Sequence, residues 1–295
     1  MKLEAIKDQD NTVRLLQRAL ANKRFNHAYL FVGKKGIGKK LTALAFAKEL
    51  LCSGDTEKEG RFDAGTFGDF MAFYDSGDKL KIGDVRGLIE ESYMTTYEGS
   101  YRVIFIENGE RMTEESSNAL LKTLEEPNPG TVFVMTVSEP DKILPTLFSR
   151  MEKYYFNPLS EKTIKDIFAK QGYEKIPFGS LGTIDEIKVL LEYGDEDVLL
   201  FPDFYKLLQS KNLPAIFKEC ENLAKKPYLK ALLSYYEKES NQQYILNFNN
   251  REKAQVFEVM IKSFEEIQRK INGYINEKHA LEYGFLKIME NMKEV

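Results

Sequence analysis

The stretch from Tyr29 to Leu50, YLFVGKKGIGKKLTALAFAKEL, constrains this chain more than any other. Tyr29, Leu30, Phe31 and Val32 read as a short buried strand, Gly33, Gly36 and Gly38 as a tight turn, and the Ala- and Leu-rich run after them as a helix. That succession is the layout of a phosphate-binding loop, where backbone N–H groups at a helix N-terminus converge on phosphate oxygens. Gly33, Gly38 and Lys39 keep the spacing G-x-x-x-x-G-K, so Lys39 is the candidate point charge for the outer phosphates. The next residue should be Ser or Thr, whose hydroxyl joins the magnesium shell, and it is Lys40. An ammonium about 4 Å from a dication is opposed by roughly 8 kcal/mol at an effective dielectric of about 20, so Lys40 is expected to swing away. A metal ligand is lost regardless.

A second altered motif lies in VIFIENGERM. In phosphate-loop enzymes an apolar strand of this kind ends with Asp, which steadies magnesium, and often Glu, which polarises the attacking water. Here those places hold Glu107 and Asn108. The longer Glu107 can still reach a metal, but an amide cannot accept a proton as a general base does. Two independent parts of one catalytic apparatus are changed, which points to a silent site.

Up to about residue 158 helix and strand patterns alternate, as in an α/β fold with a parallel sheet and crossover helices. NTVRLLQRALANKR and DVRGLIEESYM read as helices, the latter capped by Asp84; YRVIFI and GTVFVMTVS read as strands. Thr113 is placed to cap a helix whose first turn carries Glu114 and Glu115, and Pro127 closes it. KILPTLFSR reads as a turn and short helix, and LLCSGDTEKEG as an exposed loop. Beyond FNPLS strand signals nearly vanish, and Val256, Met260, Phe264, Ile267 and Ile271 mark a long helix ending at Asn272-Gly273. Tyr228, Leu232, Leu233, Tyr235 and Tyr236 read as helix-bundle core rather than a ligand box. The expected divisions are an α/β domain over 1–158, a small helical lid over 159–198 and an all-α domain over 199–295.

The 295 residues suit about two cores on length alone. A hydrophobic share of 43% and a charged share of 30% are those of an ordinary globular protein, and no apolar run nears the roughly 18 residues a membrane span needs. A cytoplasmic setting is the expectation. A net charge of −4 argues against nucleic-acid binding by bulk positive charge, although a local basic patch or a ring of subunits could still bind it. Cys52 and Cys220, with His27 and His279, are too few and too scattered for a disulfide framework or a four-ligand zinc site.

The segment Ser116 to Met151, SSNALLKTLEEPNPGTVFVMTVSEPDKILPTLFSRM, resembles the AAA+ subunits of the bacterial DNA polymerase III clamp loader, and NHAYLFVGKKGIGK resembles the same family's phosphate loop. The resemblance implies an AAA+ domain followed by a helical lid and a helical collar that joins subunits into an open ring. Within that family, motor subunits carry Thr after the loop Lys and an acidic pair after the second strand; Lys40, Glu107 and Asn108 resemble the inert delta-prime class instead. So does GSLG, since active relatives place an Arg where Gly182 stands. The resemblance further implies that Arg150, in SRM, is an arginine finger reaching a neighbour's ATP site, where an Arg in trans is worth about 10³ to 10⁵ in rate. The alternative is a surface Arg that caps a helix or pairs with a carboxylate; its position within the motif favours the finger.

By the resemblance the implied partners are the motor subunit, the clamp-opening subunit, the sliding clamp and, through the assembled ring, primer-template DNA. ATP binding is expected to be weak or absent. The family's four-cysteine zinc module is not expected, because Cys52 alone remains; Phe62, Phe67, Phe70, Met71 and Phe73 are expected to form a metal-free core in its place. Two other readings stand: a weak ATPase using Lys39 and Glu107, and a phosphate-loop scaffold unrelated to replication.

Overall fold

The computed structural model describes residues 1–74, 80–173, 181–197, 199–273 and 275–292. The chain divides into two units, Met1–Leu159 and Ser160–Val295.

The first unit is an α/β fold. Its elements run α1 (Asp10–Asn22), β1 (Ala28–Val32), α2 (Lys39–Cys52), α3 (Thr56–Asp63), β2 (Phe70–Phe73), α4 (Ile82–Ser92), β3 (Arg102–Ile106), α5 (Glu114–Glu125), β4 (Thr131–Val137), α6 (Pro145–Arg150) and β5 (Glu152–Tyr155). The sheet is parallel throughout, in the order β2-β3-β4-β1-β5. β1, β3 and β4 are buried at every position, as strands covered by helices on both faces must be. Alternate side chains then serve two cores. Leu30, Ile104, Ile106, Phe133 and Met135 pack with Leu88, Leu120, Leu124 and Leu147 from α4, α5 and α6. On the other face Tyr29 lies 5.0 Å from Phe46 of α2, ring to ring, and Phe31 lies 5.2 Å from Phe156.

Three local expectations are corrected. LLCSGDTEKEG is not a loop: its first three residues are buried in the last turn of α2, and α3 follows, capped by Asp55, which accepts from the N–H groups of Glu57 and Lys58. Asp84 is not the cap of α4 but sits in its first turn and accepts the Lys81 N–H at 3.1 Å. The apolar residues expected to replace a zinc module do not form a separate core. Phe70–Phe73 is an edge strand of the main sheet, Met71 and Phe73 pack on the main core, and the Phe62 ring lies tilted against Phe70 at 4.5 Å. The segment therefore spends its apolar side chains on widening the sheet.

A buried polar knot fixes the N-terminal ends of β2, β3 and β4. Arg102 is fully buried and donates to the carbonyls of Glu91 at 2.5 Å and Thr95 at 3.0 Å, with the buried Asp69 carboxylate at 3.5 Å. Asp69 also accepts the N–H groups of Tyr97 and Glu98, so the loop before β3 is tied to the start of β2.

The second unit is helical among the described residues: α7 (Glu161–Ala169), α8 (Ile184–Asp197), α9 (Phe201–Gln209), α10 (Leu213–Leu223), α11 (Leu229–Leu246), α12 (Arg251–Asn272) and α13 (Glu277–Asn291). Its centre is aromatic. Phe204 stacks on Tyr236 at 4.2 Å and meets Phe264 and Phe285 at 5.9 and 5.0 Å. The buried Tyr236 satisfies its hydroxyl on the Leu199 carbonyl at 2.7 Å. Along α12, Phe257 is buried where Val256 was expected, Val256 being half-exposed; Met260, Phe264, Ile267 and Ile271 are buried as their spacing requires. Among the described residues no helix is long and apolar enough to cross a membrane.

Candidate functional site

In a parallel sheet every strand ends on the same rim, and that rim gathers the residues in question. Gly33 follows β1, Glu107 follows β3 and Ser138 follows β4. Gly33, Gly36 and Gly38 have φ of 155°, 72° and 100°, a backbone that side-chain-bearing residues rarely adopt. Gly38 then caps α2, leaving the first N–H groups of the helix facing the loop.

Lys39 is 6% exposed and curls into this loop. Its Nζ donates to the carbonyls of Gly33 at 2.5 Å and Lys34 at 2.6 Å and to Ser138 Oγ at 3.0 Å. Ser138 in turn donates its N–H to Glu110 Oε1 at 3.1 Å. Burial pushes the Glu110 carboxyl above the usual carboxylate range, against the pull of backbone N–H donors and of Lys39. Neither Ser138 nor Glu110 stood out in the sequence. The signal that finds Ser138 is its place as the first residue after β4, matching Gly33 after β1 and Glu107 after β3.

Lys40 does not swing away. Its Nζ lies 2.9 Å from Glu107 Oε2 and 4.5 Å from the centre of the Tyr74 ring. The residue that replaces the expected hydroxyl thus bonds to the residue that replaces the expected metal-steadying Asp. Asn108 stands in the left-handed region at φ 53° and donates its N–H to Thr136 Oγ1 at 3.0 Å. Thr42, two residues beyond Lys40, is fully buried and donates its hydroxyl to the Gly38 carbonyl, so it supplies no substitute ligand. These residues fit a magnesium–nucleotide group poorly: the Lys40 ammonium lies on the carboxylate that a metal would need, and the neighbouring side chain is an amide.

Arg150 ends α6, away from the loop in sequence, and folds back on its own unit. It donates to the Thr146 carbonyl at 2.8 Å and forms an ion pair with Glu125 at the end of α5. Gly182 has φ 72°, a conformation in which an Arg would be strained; Gly179 and Ser180 of the same stretch lie outside the described residues. Among the described residues no group of three or more His, Cys, Asp or Glu is gathered as a metal site.

A parallel sheet whose first strand opens through a glycine turn into a helix, with an acidic residue at the end of β3, defines an α/β domain of the phosphate-loop class. Residues 8–160 match the family described as DNA polymerase III, delta subunit, and the chain belongs to that family. It is 34% identical over 170 residues to DNA polymerase III subunit delta' of Bacillus subtilis, a match covering 55% of this chain and 52% of that one. It is 32% identical over 179 residues to subunit tau/gamma of Haemophilus influenzae, covering 58% of this chain and 26% of that one. The match therefore spans about half of the first relative and about a quarter of the second. Among solved structures, a gamma subunit-related protein of Thermotoga maritima aligns over 94% of this chain and 99% of its own, with 16% identity and a TM-score of 0.44.

Proposed function

We propose that this chain is a non-hydrolysing subunit of a DNA polymerase III clamp loader, of delta-prime type, which acts on a partner's ATP site through Arg150 rather than on ATP of its own. One observation carries the reading: the ammonium of Lys40 is bonded to Glu107, so the two residues that stand where metal ligands are expected serve each other. With Asn108 in place of a general base, neither the metal shell nor an activated water can be assembled.

On this reading the first unit presents Arg150 to a motor subunit, and contacts to a clamp-opening subunit complete a ring that acts on the sliding clamp at primer-template DNA. The reading assigns a lid to 159–198 and to 199–295 a collar that joins the subunits. Arg150 is suited to the role because its partner Glu125 lies at the surface, where an ion pair is worth only about 0–1 kcal/mol and yields readily to a phosphate.

The test is reconstitution. The isolated chain should show no ATP turnover that responds to Lys39→Ala, whereas Arg150→Ala should leave assembly intact and slow DNA-stimulated hydrolysis by the complex, through loss of turnover at the one site that Arg150 serves. Turnover by the lone chain abolished by Lys39→Ala would instead establish the weak ATPase. An unchanged rate in the Arg150→Ala complex would reject the finger.

A further inference from the structure

The Lys40–Glu107 contact asks more than why hydrolysis is absent. A position that merely lost its ligand would hold a small or disengaged side chain. Lys40 instead keeps its ammonium on the Glu107 carboxylate at 2.9 Å, and the Tyr74 ring backs it at 4.5 Å, a geometry in which the ring face favours the cation. Three elements hold one positive charge on the carboxylate that ends β3: the start of α2, the end of β3 and the residue after β2. The loop around it is basic as well. Lys34, Lys35 and Lys39 lie within six residues of Lys40 in sequence, and the Lys39 ammonium is held inside the loop by the Gly33 and Lys34 carbonyls and by Ser138.

We infer that Lys40 is the resident cation of this loop, a tethered replacement for a divalent metal, so that the loop excludes the metal and accepts a polyphosphate only in its metal-free form. The inference rests on the phosphate-loop reading of the same residues but not on the role of Arg150. A metal-free triphosphate carries more negative charge than its magnesium complex, and the lysines here supply the compensation that the metal supplies elsewhere. The bound anion is not split, because no metal or base accompanies it. The surviving loop then serves as a charge-matched anchor for the phosphate chain.

The experiment titrates the full chain with a fluorescent ATP analogue in EDTA and in excess magnesium, with inorganic tripolyphosphate as competitor. The expected result is at least tenfold tighter binding in EDTA, with tripolyphosphate displacing the probe. Magnesium also lowers the charge of the probe in solution, so the variants decide the matter. Lys40→Thr should bring the ratio of the two affinities to about one or below, and with ATP present it should bind manganese at one ion per chain by electron paramagnetic resonance. Glu107→Gln, which breaks the pair but keeps the ammonium, should retain the preference for the metal-free probe. The inference is overturned if the wild-type chain binds more tightly with magnesium, if Lys40→Thr keeps the full metal-free preference, if tripolyphosphate does not compete, or if neither form binds at millimolar concentration. None of these readouts uses a partner subunit, so the inference and the proposed role of Arg150 fail separately.

Discussion

The guanidinium of Arg150 is shared between the Glu125 carboxylate one helix away and the Thr146 carbonyl within α6. Glu125 is about half exposed and Arg150 about a third. A pair so open to water is screened and contributes at most about 1 kcal/mol. Glu125→Gln should therefore shift the urea midpoint of the isolated chain by an amount equivalent to less than about 1 kcal/mol. A loss above twice that would mark the contact as part of the fold, not a resting place for the side chain.

Asp69 and Arg102 stand at the other extreme, both fully buried. Asp69→Ala leaves Arg102 with the half-exposed Glu91 carboxylate at 3.4 Å as its remaining ionic partner and strands the buried N–H groups of Tyr97 and Glu98, so it should cost about 2–4 kcal/mol in chemical denaturation. A change below about 1 kcal/mol would show that water reaches the knot.

The two cysteines should be inert in the folded chain. Cys220 is fully buried and its thiol is pushed up to about 12 by that burial; burial raises Cys52 in the same direction. At pH 8 the thiolate fraction at Cys220 is then about one part in ten thousand. A disulfide reagent at pH 8 should label neither cysteine under native conditions and both in concentrated urea. Rapid labelling of one thiol without denaturant would place it at the surface.

Glu110 predicts a pH dependence. Its carboxyl is raised by burial, so the folded chain holds that proton more tightly than the unfolded chain does. Stability attached to this group is greatest below the ordinary carboxylate range and falls as pH rises towards the folded value. Wild-type stability relative to Glu110→Gln should therefore decline as pH rises through and above the ordinary carboxylate range in parallel urea titrations. A difference that stays flat or grows across that interval would contradict the assignment.

What the sequence made legible was local. The glycine spacing from Gly33 to Lys39, the apolar runs of β1, β3 and β4 and the Thr113 cap each depend on neighbours within a few residues, and each is present. The contacts that define the site are not local. Lys40 and Glu107 are 67 residues apart, and Lys39 and Ser138 are 99 apart, so their meeting depends on strand order, which no periodicity encodes. Lys40 was expected to retreat because only repulsion from a metal could be computed from the sequence; the attracting carboxylate came with the fold. β2 escaped notice for a related reason: four half-buried apolar residues read as a cluster until a parallel partner gives them a register.

The direction of the strands carries a last consequence. The glycine loop, Glu107 and Ser138 occupy one rim of the sheet, and the Arg102 knot occupies the other, about 16 Å away for strands of five residues. Reactive residues and fold-holding residues share almost no neighbours. Substitutions at the glycine-loop rim can therefore be made one at a time with the architecture at the opposite rim left undisturbed.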